Sequence, residues 1–226
     1  MDSLYHDDMG LLKKIWEFFL DILFPLEVTV LEIETMPVSE FTQRAKTLHV
    51  DREIPESIIL FEYKDPLIRT AIAEVKFRGN KKIAGTLGEI LRDNLIAELS
   101  ELHTFENFSK PILTAVPMTK KSLRKRGWDQ CRLMLSTLTR DAKDTGIEVR
   151  YEALRKIRET DDQVGKNKSE RLENLTGCIE AEESIVRGRN IIVFDDVVTT
   201  GATWIETKRA LRKAGARKVI LLALAH

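Results

Sequence analysis

Apolar positions along this chain switch between helical spacing and short continuous runs, and the switches predict its elements. Leu67, Ile68, Ala71, Ile72 and Val75 share one helical face after Pro66, and Gly79 ends the pattern. A second stripe, Leu87, Ile90, Leu91 and Leu95, predicts a helix from about Ile83 to Leu99. CRLMLSTLTRDA (131–142) reads as helix closed by Gly146. A last helix over Ala202 to Lys213 aligns Trp204, Thr207, Ala210, Leu211 and Ala214 before Gly215. Between them, PILTAVP (111–117), IEVRYEAL (147–154), Ile191 to Phe194 and Lys218 to Ala225 read as strands. VTVLEI (28–33) alternates with β-branched residues and predicts one more. Residues 34–57 carry no clean pattern, and 155–175 read as polar loop or short helix.

Strand and helix alternate through the second half with short connections. That predicts an α/β fold with a mostly parallel sheet flanked by helices, in which ligands bind beyond the carboxyl ends of the strands. Near the start, LLKKIWEFFLDILFP (11–25) gathers Lys13, Lys14, Glu17 and Asp21 on one side of a helix. It is too short and too charged for a transmembrane segment and suits packing on the domain or a partner. The expected division is an N-terminal helix and cap over 1–60 and a main domain over 61–226.

Composition narrows the chemistry. The 226 residues have a formal net charge of +0, which gives no global electrostatic case for a nucleic-acid or membrane partner. Cys131 and Cys178 form no CxxC pair, so neither a disulfide framework nor a cysteine zinc site is expected, and a reducing cytosol fits. His6, His49, His103 and His226 have no metal-ligand spacing.

The segment with most chemistry is IIVFDDVVTTGAT (191–203). An apolar strand runs into Asp195 and Asp196, whose carboxylates can accept from vicinal hydroxyls or hold hydrated Mg²⁺. Adjacent strand residues point apart, so one carboxylate would meet a ligand while the other orients the loop. Thr199, Thr200, Gly201, Ala202 and Thr203 then lead into a helix, whose opening N–H groups favour a phosphate. An Asp-Asp turn with a threonine helix cap explains either feature alone; together they point to a phosphorylated ribose. No GxxxxGK[ST] or GxGxxG pattern is present.

This stretch resembles the donor signature of the type I phosphoribosyltransferases, where two acids and a TTG(A/G)T loop bind 5-phosphoribosyl 1-diphosphate (PRPP). AVPMTKKSLRKRGWDQ (115–130) is similar to the PVP…R.RGFNQ segment of the ComF-like competence proteins within that family. VKFRG (75–79) resembles their LKYxG motif, and LRKIRETDDQ with RLEN (154–174) their L.R.r.T..Q…R..N stretch. FFLDILFP (18–25) resembles their opening helix, so the likeness spans nearly the whole chain.

The resemblance implies a cytoplasmic glycosyltransferase that uses PRPP and Mg²⁺, with an unknown acceptor and a role in natural transformation. Asp195 and Asp196 would hold the ribose hydroxyls, and Thr199 to Thr203 the 5′-phosphate. Arg124, Arg126 and Gln130, in a loop able to close over the ligand, would face the diphosphate, with Lys76 as a further anion contact. Arg155, Arg158 and Arg171 would add positive charge. Rival readings are a non-catalytic PRPP or nucleotide sensor, and an accessory protein whose basic segment binds single-stranded DNA. A competence-machinery protein or a second copy of the chain are further candidate partners. Two departures stand out. Residues 26–60 lack the family's zinc-binding cysteines, and a strand-containing, metal-free cap is expected there. Trp128 and Asp129 replace the usual Phe and Asn, and an ionised Asp129 cannot donate as an amide does.

Overall fold

The computed structural model describes residues 29–48, 54–140, 146–158 and 176–226. The expected amphipathic helix at 11–25 and Arg171 lie outside them. The first described elements are helices α1 (Val30–Thr35) and α2 (Val38–Arg44), followed by strand β1 (Ser57–Phe61). Helix α3 (Pro66–Ala73) runs into a π-turn (Glu74–Arg78), and α4 spans Lys81–Glu106. Strand β2 (Ile112–Ala115) leads to α5 (Lys120–Arg126) and α6 (Gln130–Arg140). Then come β3 (Glu148–Val149), β4 (Leu154–Lys156), β5 (Ile179–Ala181) and the short α7 (Glu183–Val186). The chain finishes with β6 (Asn190–Val197), α8 (Ala202–Lys213) and β7 (Lys218–Ala225).

The main sheet has five strands in the order β1-β7-β6-β2-β3, and every pairing is parallel. This is the expected α/β architecture. Strand alternation feeds two cores. Ile192, Phe194, Ile220, Leu222 and Leu224 share a core with α1 to α4 and α6, whereas Ile191, Val193, Val219, Leu221 and Ala223 face α8 and the antiparallel β4–β5 pair. Both faces of β6 and β7 are therefore covered, which is why these strands read as unbroken apolar runs.

Several boundaries differ from the sequence reading. VTVLEI does not form a strand: Thr29 caps α1 by accepting the Glu32 N–H at 3.2 Å, and Ile33 is buried against the helical core. A good N-cap and a buried helical position outweigh β-branched propensity over so few residues. IEVRYEAL breaks in two, because a 3-10 turn at Tyr151–Ala153 moves the chain from the main sheet to the β4–β5 pair. The second predicted helix extends well beyond Leu99, to Glu106. β1, which begins at the end of the segment without a clear pattern, is an edge strand of the main sheet. β6 continues through both aspartates to Val197.

Asp65 ties the edge of this fold together. Buried at 5% exposure, its carboxylate accepts the Leu67 N–H at 2.8 Å and the Ile68 N–H at 3.4 Å, capping α3. The other oxygen accepts the Lys46 N–H at 2.8 Å and so holds the segment after α2. Asp65→Ala leaves these N–H groups unpaired and is expected to lower unfolding free energy by about 2 kcal/mol in urea titration, with Asp65→Asn losing about half as much.

Candidate functional site

Parallel pairing places the carboxyl ends of β1, β2, β6 and β7 along one sheet edge, and the candidate residues gather there. Asp196 carries the strongest constraint. It is 5% exposed, and its Oδ2 is buried without a hydrogen-bond partner. The ammonium of Lys76 lies 3.7 Å from that oxygen, an ion pair longer than a hydrogen bond.

Asp195 is half-buried, and strand alternation alone would turn it from Asp196. Instead its Oδ1 accepts the Asp196 N–H at 3.0 Å. Ligand atoms of Asp195, Asp196 and the Cys131 thiol all lie within 4.8 Å of one another. The two carboxylates, expected to point apart, therefore converge on one spot. Burial, then the Asp196 carboxylate, pushes the Asp195 carboxyl well above the usual carboxylate range. Lys76 is raised, chiefly by Asp196 and further by Asp195. Cys131 is also pushed well up by burial and the two aspartates, so it remains a neutral thiol. The oxygen donors fit a hard cation such as Mg²⁺, with the buried Asp196 Oδ2 as a spare acceptor.

The loop after β6 leads directly into the N-terminus of α8. Gly201 takes a left-handed conformation at the N-cap of α8, and no side chain caps the helix. That removes the simple alternative of a threonine cap. Thr199 is exposed and Thr200 and Thr203 half-buried, whereas Ala202 is buried. The loop entrance is tied to the last strand: Val198 N–H donates to Ala225 O at 3.0 Å, and His226 Nδ1 lies 2.7 Å from Val198 O.

Lys76 reaches the site because of the π-turn. Such a turn widens the helix and displaces side chains from the α-helical register. Val75 O accepts both the Gly79 N–H at 3.2 Å and the Trp128 indole N–H at 2.9 Å. Gly79 has φ +65, and a Cβ there would meet the Trp128 ring at 2.9 Å. The VKFRG and RGWDQ segments, distant in sequence, are thus one packed unit.

The expected loop carrying Arg124 and Arg126 is helix α5, capped by Thr119, which accepts the Ser122 N–H at 3.0 Å. Arg124 is exposed, while the half-buried Arg126 donates to Gln130 Oε1 and acts electrostatically on Lys76. Asp129 needs no amide: it caps α6 by accepting the Arg132 N–H at 3.1 Å. Arg155 pairs with Glu180 at 2.8 Å, and Arg158 donates to Thr176 O at 2.9 Å. Sequence reasoning overlooked Cys131, Tyr63 and His226. Tyr63 follows the unassigned β1, its N–H donating to His226 O at 2.9 Å, and its hydroxyl acts electrostatically on Lys76.

The phosphoribosyl transferase domain family matches residues 130–226. The chain is 27% identical over 157 residues to competence protein ComFC of Bacillus subtilis, covering 69% of this chain and 58% of that protein. It is 29% identical over 164 residues to DNA utilization protein YhgH of Escherichia coli, covering 72% and 68%. It is 25% identical over 171 residues to competence protein F of Haemophilus influenzae, covering 75% and 72%. The match thus spans less than two thirds of the Bacillus protein. Among the described residues, no helix is long and apolar enough to cross a membrane.

The raised Asp195 carboxyl has a signed consequence. Between its unfolded and folded pKa the folded state holds a proton that the unfolded state has lost, so stability falls as pH rises through that window. Asp195→Asn should remove this slope and raise neutral-pH stability by about 1 kcal/mol, read from thermal unfolding across pH.

Proposed function

We infer that this chain, which belongs to the ComF-like group within the type I phosphoribosyltransferases, binds PRPP with Mg²⁺ and transfers ribose 5-phosphate to an acceptor. One observation carries the reading. A converging carboxylate pair and a helix N-terminus free of side-chain caps follow one another at the carboxyl end of a central strand, with Lys76 beside them. Asp195 and Asp196 would accept the vicinal ribose hydroxyls, and Thr199 to Thr203 would surround the 5′-phosphate with hydroxyl and N–H donors. Arg126, Gln130 and Lys76 would meet the diphosphate, with Arg124 exposed on α5 as a further contact.

Mg²⁺, when bound with PRPP, would neutralise the diphosphate as a leaving group, and Asp195 and Asp196 are the side chains suited to hold it. With PRPP so held, the carboxylates would lie near the anomeric carbon, where positive charge develops as its bond to the diphosphate breaks, and would stabilise that charge as well as fix the ribose. Lys76 and Arg126 would balance the charge on the departing diphosphate.

A second reading has its own support. Lys120, Lys121, Arg124 and Lys125 are exposed on one short helix without an acidic residue, a surface suited to a nucleic-acid backbone. The names of the competence and DNA utilization relatives are in keeping with DNA as its partner. Binding there would weaken steeply with salt, and Lys120→Ala with Lys125→Ala would reduce the salt slope.

Calorimetry of PRPP with Mg²⁺ tests the main reading. Asp195→Asn with Asp196→Asn removes the carboxyl pair and should weaken binding at least about 100-fold. Wild type that folds but does not bind PRPP would sink it. Acceptor-dependent diphosphate release then separates a transferase from a sensor.

A further inference from the structure

Among the described residues, Asp196 Oδ2 is fully buried without a hydrogen-bond donor, and the cation found against it is Lys76, at 3.7 Å. That distance gives electrostatic attraction without a directed bond. The lysine side chain is 34% exposed, so its ammonium stands at the rim of the site and can swing on its methylene stem. Among its other neighbours, the Phe77 ring centroid is 5.9 Å away, and Tyr63 and Arg126 act on it electrostatically. Its backbone cannot shift to follow, because the π-turn is pinned by the Trp128 bond to Val75 O and by the ring packed on Gly79. A rigid root with a swinging ammonium suits a group that exchanges partners.

We propose that Lys76 is a specificity-determining residue that makes the site select ligands bearing a diphosphate over plain ribose 5-phosphate. This rests on the PRPP reading. In the free protein the ammonium holds the carboxylate that the ribose hydroxyls must reach. A ligand with only a 5′-phosphate must displace it and offers no anion near the anomeric carbon to receive it. PRPP supplies that anion, so the lysine leaves Asp196 for the diphosphate and the hydroxyls take its place. Binding of PRPP is then an exchange of ion pairs, and binding of ribose 5-phosphate is a loss of one.

The two ligands make the test a crossed one. Calorimetry would compare ribose 5-phosphate with PRPP plus Mg²⁺ on wild type, Lys76→Met and Lys76→Arg, with thermal unfolding checking that each is folded. Lys76→Met should bind ribose 5-phosphate several-fold more tightly and PRPP about tenfold more weakly, and Lys76→Arg should keep the preference for PRPP. Equal weakening of both ligands in Lys76→Met would mean that Lys76 is a static cation and would overturn the exchange. Unchanged affinities would overturn it too. If folded wild type binds neither ligand, the PRPP reading itself has failed, an outcome distinct from a wild type that binds PRPP but whose selectivity is indifferent to Lys76.

Discussion

Two carboxylates at the end of a covered strand dominate the energetics of this protein. Ionised carboxylates are costly to bury, and Asp195 responds by holding its proton above the usual range. Lys76 is the counter-charge that comes within 4 Å of the pair among the described residues. Much of the surrounding architecture decides where that ammonium stands.

The supporting structure is layered. α3 is capped by Asp65 and leads into the π-turn that carries Lys76 and Phe77. Trp128 donates to that turn from across the molecule and packs on Gly79, while Asp129 beside it starts α6, the helix that buries Cys131 under the aspartates. Phe at position 128 could fill the same space but would leave the Val75 carbonyl without the indole donor. Asn or Asp at 129 could equally accept the α6 N–H. The residues at 128 and 129 are thus both accounted for by local bonding, one adding a bond and one leaving a cap intact.

Legibility in the sequence followed the physics of each segment. β6, β7 and α8 were plain because both faces of the strands are buried and the helix stripe matches its buried residues Trp204, Thr207, Ala210 and Leu211. VTVLEI misled because six residues with β-branched side chains fit either element until a capping threonine and a core position for Ile33 decide. β1 was hidden because its pattern is short and its partner, β7, lies at the other end of the chain. The break at Tyr151–Ala153 depends on which sheet offers partners, and no local pattern encodes that.

The chain's own residues determined the type of fold and the nature of the donors: an apolar strand, two acids, then small and hydroxyl side chains before a helix. These are local in sequence, so composition and spacing suffice to read them. Tertiary structure alone decided that both carboxylates converge, that Lys76 rather than another cation faces them, and that VKFRG and RGWDQ form one unit. Those relations join residues from separate elements, and their energies depend on burial and distance that arise only when the sheet edge and its flanking helices are assembled.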